Sequence, residues 1–326
     1  MAVHNRFRGL RHRYVSLMAL EPLVDPFGRR VTSLRVSVTQ RCDLACFFCH
    51  REGEHDPGKE MTPGEIGRIV EVAAELGVSK VKVTGGEPLM RDDVVEVIRL
   101  ISPHVREVSM TTNALQLPGK ASALRDAGLR RVNVSLHSLK RESVKMIAGV
   151  DCLDRVLAGM RAADEAGLKP IKLNFVVMNG LNSGEIRDML RLSAETGAIL
   201  QLIEYQRLER GVEKWGDLYY DLTPLERVWD KEAVRVVEQE MHRRRRYTLV
   251  DGATVEIVRP IHNTVFCANC NRLRLTSDGR LKPCLMRGDN LVQLVQLLRR
   301  GASKEELVEA FRLATSLRAP YWREAG

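Results

Sequence analysis

The chain has 326 residues, 44% of them hydrophobic, and carries a net charge of +9. That length exceeds one small domain and supplies a sizeable core. No apolar run reaches membrane-spanning length and the basic stretch from Met1 to Arg13 leads into no secretion-signal segment, so the expectation is a soluble, cytoplasmic protein with either a charge-rich surface or an anionic ligand.

Residues 1–33, interrupted by Pro22, Pro26 and Gly28, read as an N-terminal arm. From Leu34 the chain alternates strand-like and helix-like segments. The strands are expected at Leu34–Thr39, Lys80–Thr84, Arg106–Thr111, Arg131–Ser135, Ile171–Val177 and Ile199–Glu204. The first intervening helix carries its own start signal: Thr62 as N-cap, Pro63 in the first turn and Glu65 to complete a capping box. Further helices are expected over Asp92–Ile101, Lys120–Ala127, Leu153–Ala166 and Ser183–Thr196. Six such units imply a parallel sheet covered by helices, curled into an incomplete barrel or left open and doubly wound. Either way functional loops collect at the C-terminal ends of the strands. After residue 206 the alternation stops. A helix over Pro224–Glu240, a hairpin with a type I′ turn at Asp251-Gly252, a second hairpin across Ser277-Asp278-Gly279 and helices over Asn290–Arg300 and Lys304–Ser316 follow. The expected divisions are therefore 1–33, 34–206 and 207–326, the last a smaller unit packed against the open side of the sheet.

Six of the seven cysteines form two sets of three, Cys42, Cys46, Cys49 and Cys267, Cys270, Cys284. Cys152 stands alone and reads as an ordinary core cysteine. Three thiolates hold three irons of a 4Fe-4S cluster and leave the fourth iron open to a small molecule. Zinc is the competing occupant of each set, with His50 or His262 as fourth ligand. Gly85-Gly86-Glu87-Pro88 follows the second strand. Its glycines admit a close ligand and offer N–H groups, and Glu87 offers an acceptor for an ammonium group. Arg272 and Arg274, two apart on a strand, share one face beside the second set and suit an anionic substrate. The run Arg243–Arg246 reads as a solvated face, with nucleic-acid contact as its alternative use. His104 and His137 read as surface or structural histidines.

The stretch Cys42–Cys49 with Gly85-Gly86-Glu87-Pro88 resembles the radical S-adenosylmethionine (SAM) superfamily. The stretch from Phe266 to Gly279, with Cys284-Leu285, resembles the GTP 3′,8-cyclase family of molybdenum cofactor biosynthesis, and the likeness begins near Asp25. The resemblance implies an α/β fold, a partial (βα)6 TIM-like barrel whose open side is closed by a C-terminal cluster-binding extension. It implies two 4Fe-4S clusters, SAM cleaved to a 5′-deoxyadenosyl radical, hydrogen abstraction from C3′ of GTP and closure onto C8 of guanine. It implies SAM contacts at Phe48, Gly86, Glu87, Ser135 and Gln206, and GTP contacts at Arg35, Lys82, Thr111, Lys172, Arg272, Leu273 and Arg274, with Arg35, Arg272 and Arg274 in catalytic roles. The implied partners are GTP, a low-potential electron donor and cyclic pyranopterin monophosphate synthase downstream, with no membrane and no nucleic acid; a homodimer is compatible with it. Lys82 and Gln201 stand where many relatives have Arg, Gln206 where Met is frequent, and the chain ends Glu324-Ala325-Gly326 where many relatives end Gly-Gly. Two rivals remain: a radical SAM enzyme with an auxiliary cluster acting on a peptide, and a zinc-bearing nucleic-acid-binding protein.

Overall fold

Apolar and polar residues alternate along the strands, and that period of two sets which side of the sheet is wet. Leu34 and Val36, Val81 and Val83, Val108 and Met110, Val132 and Val134, and Leu173 and Phe175 are all buried in one hydrophobic core. Arg35, Lys82, Ser109, Asn133 and Lys172 alternate with them and line a cavity on the other face. Each fully buried aliphatic side chain contributes roughly 1.5–3 kcal/mol, so the helix-facing layer carries the stability and leaves the opposite face free for polar residues.

The computed structural model describes residues 20–54, 58–207 and 213–322. Of the expected arm, residues 1–19 lie outside the described residues, as does Glu324-Ala325-Gly326. Strands β1 (Ser33–Ser37), β2 (Lys80–Thr84), β3 (Glu107–Thr112), β4 (Arg131–Ser135), β5 (Lys172–Val177) and β6 (Ile199–Glu204) pair in parallel, in order. They are joined through α1 (Pro63–Glu75), α2 (Val94–Ile101), α3 (Ala121–Asp126), α4 (Arg141–Ala148), α5 (Leu153–Glu165) and α6 (Ile186–Thr196). The capping box of α1 is formed: Glu65 N–H donates to Thr62 Oγ1 at 3.2 Å, and Thr62 N–H to Glu65 Oε2 at 2.8 Å. Helix α4 has no counterpart in the sequence reading; four of its eight residues, Arg141, Glu142, Ser143 and Lys145, are charged or polar and mask its short apolar stripe, Val144, Ile147 and Ala148.

The C-terminal region extends both edges of the sheet. After α7 (Trp215–Leu218) and α8 (Thr223–Glu232), strands β7 (Arg235–Glu238), β8 (Arg245–Thr248) and β9 (Thr254–Val258) add to the β6 edge, β9 in parallel. The chain then crosses over through α9 (Thr264–Ala268), and β10 (Arg272–Leu275), β11 (Arg280–Lys282) and β12 (Val292–Gln293) add to the β1 edge, with β10 parallel to β1. Helices α10 (Val295–Arg299) and α11 (Lys304–Ser316) complete the described fold. The helix expected to reach Glu240 thus ends at Glu232, because Val234, Val236 and their neighbours take a β-rich edge strand instead. Residues 292–293, expected as helix, pair with β11. The loop between β8 and β9 is not type I′: Gly252 alone has positive φ there, and Leu249 N–H donates to Ala253 O across a longer turn.

The sheet curls. From β10 to β8 there are eight strand-to-strand steps, about 38 Å in a flat sheet at about 4.8 Å per step. Yet Arg272 and Arg274 of β10 line the same cavity of about 1040 Å³ as Arg246 of β8. The architecture is a partial (βα)6 barrel whose interior is polar.

Candidate active site

The first cysteine loop runs over the top of the barrel between β1 and α1. Cys42, Cys46 and Cys49 all line the cavity. Burial, with the neighbouring cysteines contributing, pushes the Cys42 thiol up to about 11 and the Cys46 thiol to about 12. Backbone N–H groups already point at two of the sulfurs, Leu44 to Cys42 Sγ at 3.4 Å and Arg51 to Cys49 Sγ at 3.5 Å. The Gly85-Gly86 pair explains how the loop sits so close to β2. A Cβ on Gly86 would lie 2.2 Å from the Arg41 carbonyl oxygen, and one on Gly85 2.4 Å from that of Thr39. Gly86 N–H donates to Thr39 O and Glu87 N–H to Arg41 O, each at 2.7 Å. The glycines therefore serve this loop-to-loop approach, and the Gly86 and Glu87 N–H groups are taken by the chain itself. Glu87 is also committed internally: it accepts from Leu89 N–H, Thr112 Oγ1–H and Asn113 N–H, and burial raises its pKa to about 7. Phe48, Ser135 and Gln206 line the cavity beside it. Phe48 packs edge-on against His137, whose Nδ1 accepts from Val176 N–H at 3.1 Å, a structural role.

Of the second cysteine set, Cys267 and Cys270 sit on the crossover before β10, and Cys284 follows β11. Cys267, Cys270 and Cys284 line the same cavity. Two buried arginines clamp the Cys267–Cys270 turn. Arg29 donates to Cys267 O at 2.8 Å, Arg318 donates to Cys270 O at 2.5 Å, and Asp25 pairs with both, at 2.8 and 3.0 Å. Burial alone would raise the Cys270 thiol, but Arg318 and Arg272 outweigh it and lower its pKa. Among the described residues no three His, Cys, Asp or Glu side chains gather tightly enough to shell a single metal ion. A 4Fe-4S cube takes one thiolate per iron and spreads its ligands wider, and N–H groups aimed at sulfur suit thiolates bound in that way. Both donor sets fit a cluster. Of the histidines weighed as fourth ligands to zinc, His50 Nδ1 accepts from Glu52 N–H and His262 packs on the Trp322 ring.

Between the two sets lies a belt of charge. Register aligns Arg274 of β10, Arg35 of β1 and Lys82 of β2 side by side. Glu52, three residues after Cys49, bridges the first two: Arg35 Nη2 lies 2.5 Å from Oε1 and Arg274 Nη1 2.6 Å from Oε2. Glu52 is buried, which by itself would raise its pKa, but Arg35 and Arg274 hold it well below the usual carboxylate range. Its backbone has φ 55°, a strained left-handed conformation held by these ion pairs. Glu54 adds a second tie, accepting from Ser277 N–H and Oγ–H. Lys82 donates to Asn133 Oδ1 at 2.8 Å, and burial drives its pKa well down. Asn133 donates on to Gln201 at 2.9 Å, and Gln201 to Glu256 at 2.6 Å. Lys172 reaches both oxygens of Glu256 at 2.8 Å. Arg272 differs from all of these. Its Nε is buried with no partner and its Nη2 meets only Met241 Sδ at 3.0 Å. Burial, with Arg274 and Arg35 nearby, lowers its pKa to about 9. Thr111 lines the cavity, whereas the Leu273 side chain faces away into the core, leaving only its backbone near the site.

Residues 36–193 match the Radical SAM superfamily, and residues 198–324 match the family described as Molybdenum Cofactor Synthesis C. The chain is 51% identical over 305 residues to the probable GTP 3′,8-cyclase of Pyrococcus horikoshii, covering 92% of this chain and 98% of that one. The chain belongs to the GTP 3′,8-cyclase family. Its likeness to the probable GTP 3′,8-cyclase of Thermococcus kodakarensis is also 51%, over 92% of this chain and 100% of that one. In fold it is similar to Streptococcus suis SuiB, crystallised with S-adenosylmethionine, at a TM-score of 0.62 and 19% identity over 86% of this chain and 68% of SuiB. That likeness speaks for the fold alone. As a member of the GTP 3′,8-cyclase family within the radical SAM superfamily, the chain uses a 4Fe-4S cluster and SAM.

Several residues that build this site escaped the sequence reading. Glu52 and Glu256 look like any surface glutamate, yet Glu52 gathers Arg35 and Arg274, and Glu256 gathers Lys172 and Arg246. Arg318 is separated from Asp25 and Arg29 by almost the whole chain and meets them only in the fold. The run Arg243–Arg246, read as solvated, is solvated only in part: Arg244 and Arg246 line the cavity. The available signal was strand alternation, which in a run of four like residues is invisible.

Proposed function

We propose that the chain converts GTP to (8S)-3′,8-cyclo-7,8-dihydroguanosine 5′-triphosphate, the first step of molybdenum cofactor biosynthesis, with one 4Fe-4S cluster on Cys42, Cys46 and Cys49 and a second on Cys267, Cys270 and Cys284. The observation that carries the reading is Arg272. A guanidinium with a buried, unpartnered Nε, in a wall already holding Arg274, Arg35 and Lys82, suits a site completed by an anion. The chemistry that a reduced cluster supplies is the electron that splits SAM into methionine and a 5′-deoxyadenosyl radical, the species that takes hydrogen from C3′ of GTP. The chain's own residues bind and orient. Phe48, Gly86, Ser135 and Gln206 would flank SAM at the first triad. Glu87, with its acceptors already engaged, would act through the loop it braces. Arg35, Lys82, Thr111, Lys172, Arg272, Arg274 and the Leu273 backbone would hold GTP, and the belt of ion pairs keeps those cations fixed before the nucleotide arrives. A low-potential donor would supply electrons, and the product would pass to cyclic pyranopterin monophosphate synthase.

The test is an anaerobic incubation of reconstituted protein with SAM and reductant. The reading expects 5′-deoxyadenosine to form with GTP and not without it, and about eight irons per chain. Formation indifferent to GTP would move the substrate elsewhere, and about four irons with zinc on the second triad would remove the second cluster.

A further inference from the structure

The four arginines Arg243–Arg246 divide by side. Arg243 pairs outward with Glu238, and Arg245 with Asp230 at 2.5 Å. Arg244 and Arg246 turn inward and line the cavity. Register sets Gln201 of β6 beside Glu256 of β9, and Glu256 beside Arg246 of β8. Glu256 is fully buried and is the shared acceptor of this wall. Lys172 lies 2.8 Å from it, Arg246 Nε 2.7 Å and Arg246 Nη2 2.5 Å, with Arg244 Nη1 at 3.9 Å. One carboxylate thus faces three cations. Among the described residues neither Arg244 nor Lys172 has another carboxylate within 4 Å. Burial would raise the Glu256 pKa, but Lys172, Arg244 and Arg246 outweigh it and hold it down to about 2, so the carboxylate stays ionised and the local excess is two positive charges. Such an excess is costly unless an anion of matching charge completes it. Guanidinium forks match phosphate oxygens in geometry, and this excess calls for more than one phosphate.

We infer that Arg244 and Arg246 bind the polyphosphate end of the nucleotide, with Glu256 as the positioning residue that holds Lys172 and Arg246 toward it. The inference rests on the GTP reading of the same cavity and deepens it. The two ends of the nucleotide are then read by different walls, the nucleoside by β10 beside the second triad and the phosphates by β8 and β9. Arg246 and Arg244 come from the antiparallel ribbon appended to the barrel, so phosphate recognition sits partly outside the six βα units.

The experiment is calorimetric binding of GTP, GDP and GMP to the anaerobically reconstituted protein. The parent should prefer GTP to GMP. Arg244→Ala and Arg246→Ala should each weaken GTP roughly tenfold to a hundredfold, the range for a hydrogen bond to a charged group, and leave GMP within about twofold. Arg246→Lys should recover part of the loss. Arg245→Ala, on the outer side, should bind all three as the parent does. Where an alanine variant unfolds, Arg244→Gln and Arg246→Gln preserve volume and carry the same readout. A GTP-to-GMP preference unchanged in the inward variants overturns the assignment. A parent that binds no GTP overturns the underlying reading of the cavity, an outcome distinct from the first.

Discussion

Arg272 offers an unusual prediction, because the same substitution should raise stability and remove binding. Its Nε is buried without a partner and its Nη2 meets only a thioether. A buried donor left unsatisfied costs about 1–3 kcal/mol, and Arg274 and Arg35 beside it add repulsion. Arg272→Met keeps most of the side-chain length and removes both penalties. The nucleotide-free protein should therefore gain about 1–3 kcal/mol, seen as a melting temperature several degrees higher in anaerobic calorimetry. With excess GTP the order should reverse. The parent gains stability from its ligand by mass action, whereas the variant, having lost a charged contact, should bind GTP about tenfold to a hundredfold more weakly. A variant that melts below the parent by more than about 1 kcal/mol equivalent would mean that Arg272 is part of the structural frame. A variant that binds GTP like the parent would mean that the cavity's anion sits elsewhere.

The other predictions follow from neighbouring geometry. Glu52→Ala leaves Arg35 and Arg274 buried without their shared counter-charge and should cost about 3–5 kcal/mol in thermal unfolding; Glu52→Gln, which keeps one acceptor, should cost less, and equal losses would refute the charge argument. Gly86→Ala would drive a Cβ to 2.2 Å from the Arg41 carbonyl oxygen, so the first triad should be displaced while the second is kept. Iron content should fall from about eight toward about four per chain. The Lys172 pKa is lowered to about 8, burial being the main cause and Arg244 a contributor. A depressed base is already losing its proton above that value, whereas a bound polyphosphate favours the charged form. GTP affinity should thus be full below pH 8 and decline above it, with proton uptake on binding measurable in buffers of different ionisation heat; a flat profile to pH 9.5, about 1.5 units above, would contradict it.

Much of the barrel was legible because its signals are local. Strand alternation, the Thr62 capping box and the Ser277–Gly279 turn each reside within a few residues, and each formed as read. What was not legible depends on long-range register. That β10 lies beside β1, and β9 beside β6, is set by side chains more than 50 residues apart, so the way the C-terminal region continues both edges could not be read locally. The same holds for the site. The cysteine triads and the paired Arg272 and Arg274 announce themselves by spacing. Glu52, Glu256 and the Asp25–Arg29–Arg318 clamp do not, because an acidic residue becomes a counter-ion only when the fold presents cations to it. The glycine pair was legible, but not one use of it: a backbone that approaches Gly86 is the chain's own, at Arg41.

The central claim is that this cavity brings C3′ of GTP to the radical derived from SAM. It is tested most directly with GTP deuterated at C3′, incubated anaerobically with reconstituted protein, SAM and reductant. Deuterium should appear in 5′-deoxyadenosine, in step with the cyclised nucleotide. Deoxyadenosine that forms without deuterium, or equally well without GTP, would contradict the account.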